Sequence, residues 1–106
     1  MCGILGIYNL DDKGVDEQLL QAMGQEIAHR GPDGEGIHID GNLGFVHKRL
    51  AILDPSENGK QPMQSSDGKW TVVFNGCIYN FKELREELSQ KGCQFKSDTD
   101  TEVIVE

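Results

Sequence analysis

Two short β-like runs, Gly36–Asp40 and Leu43–Ala51, lie on either side of Asp40-Gly41-Asn42. Glycine and asparagine tolerate the backbone that a tight hairpin loop demands, so these runs are expected to fold back on each other as antiparallel strands. An all-parallel sheet is thereby excluded. The elements around the hairpin do not alternate strand and helix strictly. The expected class is therefore α+β with antiparallel sheets.

The other elements follow from periodicity and punctuation. Residues Cys2–Asn9 read as a buried strand, apolar on both faces and ended by the turn Asp11-Asp12-Lys13-Gly14. Glu17–His29 reads as a helix: Leu19, Leu20, Met23 and Ile27 recur at helical spacing, and Asp16 and Glu17 suit its N-terminus. Glycine and proline in His29-Arg30-Gly31-Pro32-Asp33-Gly34 stop it. Pro55–Gly68 is a long polar connection, of the kind that often carries function. Trp70–Phe74 reads as another strand. Phe81–Lys91 reads as a helix with a Phe81, Leu84, Leu88 stripe, a capping-box-like Asn80 and Glu83, and a Gly92 stop. Thr99-Asp100-Thr101-Glu102 matches a capping box and opens a third helix with Val103, Ile104 and Val105. The sequence reaches Glu106 soon after, so the chain is expected to be cut inside that helix.

A chain of 106 residues makes one small domain or part of one. Its net charge of −8 argues against nucleic acid or an anionic membrane as partner. Cys2, Cys77 and Cys93 show no paired spacing, so neither a disulfide framework nor a metal site is expected. No apolar run approaches the ~18 residues of a membrane helix, and no basic-then-apolar leader is present. The expected setting is a reduced cytoplasm.

Five places in the chain can carry chemistry. Removal of Met1 would leave Cys2 with a thiol and a free α-amine on one carbon, a nucleophile joined to its own base. The alternative is a small residue opening a strand. Asn75-Gly76 can aim a side-chain amide and a backbone N–H at one point, as an oxyanion hole requires, or can be a plain turn. Within His47-Lys48-Arg49, Arg49 can clamp a carboxylate with two parallel bonds, or belong to a solvated strand end. Asp100 can hold an ammonium or serve a helix dipole. Arg30-Gly31-Pro32-Asp33 is a structured loop over a site or a turn. His29 and His47 read as surface or helix-end histidines without a base role.

Taken together and in order, the segments Met1-Cys2-Gly3-Ile4, His29–Gly34, Arg49-Leu50-Ala51-Ile52, Gln61-Pro62-Met63, Phe74-Asn75-Gly76, Ile78-Tyr79-Asn80 and Asp98–Glu102 form one pattern. The chain resembles the glutaminase domain of class II glutamine amidotransferases, on the asparagine synthetase (glutamine-hydrolysing) branch. The resemblance implies an N-terminal-nucleophile hydrolase fold, an αββα sandwich, of which residues 1–106 would be about the first half. It implies Cys2 as the nucleophile toward L-glutamine, Asn75 and Gly76 as the oxyanion hole, Arg49 on the α-carboxylate and Asp100 on the α-ammonium. Arg30 would lie in the loop near the nucleophile. No cofactor is implied in this part; ATP and magnesium belong to a C-terminal synthetase domain, the implied partner. A homodimer stays open.

One position departs from the family pattern: Cys77 stands where a glutamate would be a second partner for the substrate ammonium. A retained Met1 would also deprive Cys2 of its free amine. Two other readings stay open beside aspartate amidation. One is an amidotransferase for a different acceptor, such as a sugar in surface-polysaccharide synthesis. The other is an inactive binding or structural fragment.

Overall fold

The hairpin forms as the sequence requires, with Asp40 opposite Leu43 and Gly41 at φ +56° in the loop. The computed structural model describes residues 2–51 and 53–106. Met1, whose removal the thiol–amine reading needs, and Ile52 lie outside the described residues. Three strands make the first sheet: β1 (Gly3–Tyr8), β2 (Gly34–Asp40) and β3 (Leu43–Arg49), in the order β1-β3-β2 and antiparallel throughout. β3 is central, with Gly3 opposite Lys48 on one side and Gly34 opposite Arg49 on the other.

Helix α1 (Glu17–Glu26) lies on one face of β3. Its start is fixed by Asp16, whose Oδ1 accepts the N–H groups of Gln18 and Leu19. Leu20 is fully buried, and Gly24 lets the helix backbone approach the sheet. A Cβ on Gly24 would stand 3.1 Å from a Val46 methyl. The periodicity placed Leu19 in this stripe, but Leu19 is exposed. The narrow contact is made by Leu20, Met23, Gly24 and Ile27, and the last turn tightens into a 3-10 turn at Ala28–Arg30.

Strand β1 is shorter and more open than the sequence implies. Gly3, Leu5 and Ile7 face inward, whereas Ile4, Gly6 and Tyr8 are exposed. As an edge strand with one covered face, β1 shows the two-residue alternation of a half-buried strand.

The second half of the chain is looser. β4 (Met63–Gln64) pairs with β5 (Thr71–Val72), and α3 (Glu102–Val105) packs on this ribbon. The expected strand Trp70–Phe74 thus shrinks to Thr71–Val72, with Trp70 exposed. Helix α2 (Phe81–Gln90) carries the expected stripe half-buried, and Gly92 ends it at φ +100°. The N–H groups of Cys93 and Gly92 return to Leu88 and Ser89, which makes a Schellman stop.

Neither anticipated capping box forms. Asn80 makes no side-chain cap. Glu102 instead reaches back to the N–H groups of Lys96 and Ser97, at 2.7 and 2.8 Å. The carboxylate therefore secures the approach to α3, and α3 starts later than Thr99. Among the described residues no helix is long and apolar enough to cross a membrane.

Candidate active site

The residue alternation of β3 decides what its basic end does. Lys48 turns to the α1 face and pairs with Glu35 at 2.7 Å. His47 and Arg49 turn to the opposite face, where a cavity of about 440 Å³ opens. Its wall includes Cys2, His47, Arg49, Gln61, Phe74, Asn75, Gly76, Cys77, Asp100 and Thr101. Six of the seven residues singled out from sequence thus line one cavity. The seventh, Arg30, stands beside it, its Nε donating to the Cys2 carbonyl at 3.3 Å.

Cys2 is held at the end of β3 by the Leu50 peptide groups. The Leu50 N–H donates to Sγ at 3.3 Å, and the thiol lies 3.6 Å from the Leu50 carbonyl. The chain leaving β3 is itself fixed by Asp33, whose Oδ2 accepts the Ala51 N–H at 2.9 Å. Asp33 also donates its own N–H to the Arg49 carbonyl. Gly31 makes this loop possible, because a Cβ there would come within 2.2 Å of the Lys48 backbone. The loop is therefore structural as well as adjacent to the thiol.

Arg49 is nearly buried, and Nη1 donates to the Ser56 carbonyl at 2.7 Å. Among the described residues no carboxylate comes within ion-pair distance of its guanidinium. A desolvated cation with donors to spare, on a cavity wall, has the chemistry to hold an anion. Gly59 gives the guanidinium its room: a Cβ there would stand 2.3 Å from Nη2. Asp100 is also buried, its Oδ2 accepting the Ile78 N–H at 2.8 Å.

Asp54 joins the loop under Arg49 to the strand of chain that leads to Asp100. It accepts the Ser56 N–H at 2.9 Å and the Asp98 N–H at 3.0 Å. Hydrogen bonds from the Ser56 side chain, then from the Asp98 and Ser56 backbone, pull its carboxyl down to about 2. The long polar connection is thus organised, with a 3-10 turn at Glu57–Gly59 and Gly59 buried.

Residues 1–106 match the family described as glutamine amidotransferase domain over the whole chain. The chain belongs to that family. Asparagine synthetase [glutamine-hydrolyzing] 1 of Bacillus subtilis is 46% identical over 108 residues, covering 99% of this chain and 17% of that protein. A second B. subtilis asparagine synthetase [glutamine-hydrolyzing] is 45% identical over 108 residues and is covered to 14%. Asparagine synthetase [glutamine-hydrolyzing] 2 of Arabidopsis thaliana is 40% identical over 105 residues and is covered to 18%. The chain therefore spans a small part of the length of these relatives.

Two features of this amidotransferase domain escaped the sequence reading. His47, taken for a surface or helix-end residue, is 1% exposed and lines the cavity. Burial pushes its imidazole below the usual range, against the opposing bond to Phe74. Gln61, noted only as part of a motif, is buried with both ends of its amide engaged. The strand alternation that sends Arg49 inward also sends His47 inward, so that signal was present. Nothing local marks Gln61.

Proposed function

We propose that this domain hydrolyses the side-chain amide of L-glutamine to glutamate and ammonia. The observation that carries the reading is the gathering of the Cys2 thiol, the Arg49 cation, the Asp100 carboxylate and Asn75-Gly76 around one cavity. Each group has a counterpart on glutamine: Arg49 for the α-carboxylate, Asp100 for the α-ammonium and Cys2 for the amide carbon. Among the described residues, the Gly76 N–H joins no backbone hydrogen bond, which leaves it free for an oxyanion.

The chemistry follows from those positions. With Met1 removed, the α-amine of Cys2 takes the thiol proton as sulfur attacks the carboxamide carbon. The carbonyl oxygen becomes an oxyanion that accepts hydrogen bonds from the Asn75 side chain and the Gly76 backbone. Collapse expels ammonia, which takes up the proton, and leaves a Cys2 thioester. Water then cleaves the thioester to glutamate and regenerates the thiol.

The relatives' names support the further reading that the ammonia serves asparagine synthesis, by amidation of aspartate. That step would belong to a synthetase domain outside these residues, with ATP and magnesium. The antiparallel α+β arrangement agrees with part of an N-terminal-nucleophile αββα sandwich. Release of glutamate from glutamine by the native protein, without ATP, tests the proposal. A protein with a free N-terminal Cys2 that releases none would overturn it.

A further inference from the structure

Phe74 stands just before Asn75-Gly76 and just after β5 ends, so no sheet ladder holds it. Two buried side chains hold it instead. Its N–H donates to Gln61 Oε1 at 2.6 Å, and its carbonyl lies 3.3 Å from His47 Nε2. A carbonyl only accepts, so Nε2 carries the ring hydrogen and Nδ1 is bare. Nδ1 is buried without a partner among the described residues, so a second proton there would have nothing to bind. The neutral ring therefore commits its one N–H to Phe74.

The Gln61 amide has one workable orientation. With Oε1 toward the Phe74 N–H, its Nε2 donates to Thr101 Oγ1 at 3.1 Å; a flip would set donor against donor. Thr101 follows Asp100, so one amide ties the Asn75-Gly76 side of the cavity to its acidic side. Gln61 is in turn seated against β2, where a Cβ on Gly36 would stand 1.8 Å from the Gln61 carbonyl. The Phe74 ring lies over Gly76, where a Cβ would come 2.8 Å from Cζ. The position of Phe74 thus fixes Gly76 from both the main chain and the ring.

We propose that His47 and Gln61 are positioning residues that clamp Phe74 and so hold the Asn75 and Gly76 donors at the cavity. Both line the cavity wall, and each acts through its bond to Phe74. The proposal rests on the glutamine hydrolysis argued above and adds a device to it. The β2–β3 hairpin carries His47 and backs Gln61 at Gly36, and the two side-chain hydrogen bonds set the oxyanion donors.

Steady-state hydrolysis by the native protein tests the clamp. Gln61→Met and His47→Asn remove the contacts to Phe74 while keeping size or polarity. Each is expected to lower kcat about 10²-fold, the scale of a 1 Å misplacement, with KM nearly unchanged. An aldehyde analogue of glutamine, which adds to Cys2 as a tetrahedral adduct, is expected to lose affinity by the same factor. His47→Gln places an N–H where Nε2 stood and is expected to restore most of kcat.

Wild-type kcat and aldehyde affinity in Gln61→Met or His47→Asn would overturn the clamp. So would equal kcat in His47→Gln and His47→Asn, a comparison that stands even if Gln61→Met does not fold. Failure of the wild-type protein to release glutamate would overturn the proposed function and the clamp together. Full wild-type activity in the variants overturns the clamp alone.

Discussion

The Leu50 N–H donates to the Cys2 sulfur at 3.3 Å, which pins the start of β1 to the exit of β3. Because β1 pairs with β3 in a fixed register, the thiol arrives at the same end of the sheet as Arg49. Cys2→Ala removes the sulfur and little else. The expected outcome is loss of glutamine hydrolysis by roughly 10³-fold or more, with the melting temperature retained. A glutamate-release assay beside thermal melting checks both halves.

Arg49 has Nη1 committed to Ser56 and lacks a carboxylate partner among the described residues. Lysine there keeps the charge but loses the planar fork. Arg49→Lys is expected to raise the glutamine KM about 10-fold, one charge-assisted hydrogen bond of about 1.5 kcal/mol. An unchanged KM would return Arg49 to a purely structural role.

Cys77 borders the cavity two residues from Asn75 and is exposed. A carboxylate at this position can join Asp100 in facing the substrate ammonium. Cys77→Glu is expected to tighten glutamine binding by about 1.5–3 kcal/mol, or roughly 10–100-fold. The change should appear in KM, because the ammonium is remote from the bond that breaks. Kinetics with and without reductant check it. A KM no lower than that of the Cys77 form refutes the argument.

Asp54 binds the Ser56 and Asp98 N–H groups as a carboxylate, and its pKa is held at about 2. A depressed carboxylate contributes stability that is present above the ordinary range and lost as pH falls toward the folded value. The advantage of wild type over Asp54→Asn is therefore expected to be full near neutrality and to shrink below about pH 4. Melting of both proteins across acid pH measures it. A pH-independent difference would count against this sign.

Gly36 allows β2 to meet Gln61, since a Cβ would stand 1.8 Å from the Gln61 carbonyl. Gly36→Ala is expected to cost about 1–3 kcal/mol of stability through overpacking. It should also lower kcat through displaced Gln61. Denaturant unfolding and steady-state rates on one preparation decide this. Unaltered stability would show that the backbones separate freely.

Local rules settled much of this domain. Hairpin chemistry at Gly41, helical spacing with Asp16 at the start of α1, and the Gly92 stop of α2 each act within a few residues of chain. The sequence determined those elements because steric and capping preferences need no distant partner. Its ordered motifs also named six of the residues that line the cavity, though not His47. Tertiary structure decided which face of β3 each basic side chain took, and it drew Glu102 away from Thr99 to Lys96 and Ser97. It also recruited Gln61 and His47 to Phe74 across separations of 13 and 27 residues. No local preference encodes those bonds. They form because a polar group that loses water at a closing cavity must find a partner, wherever along the chain that partner lies.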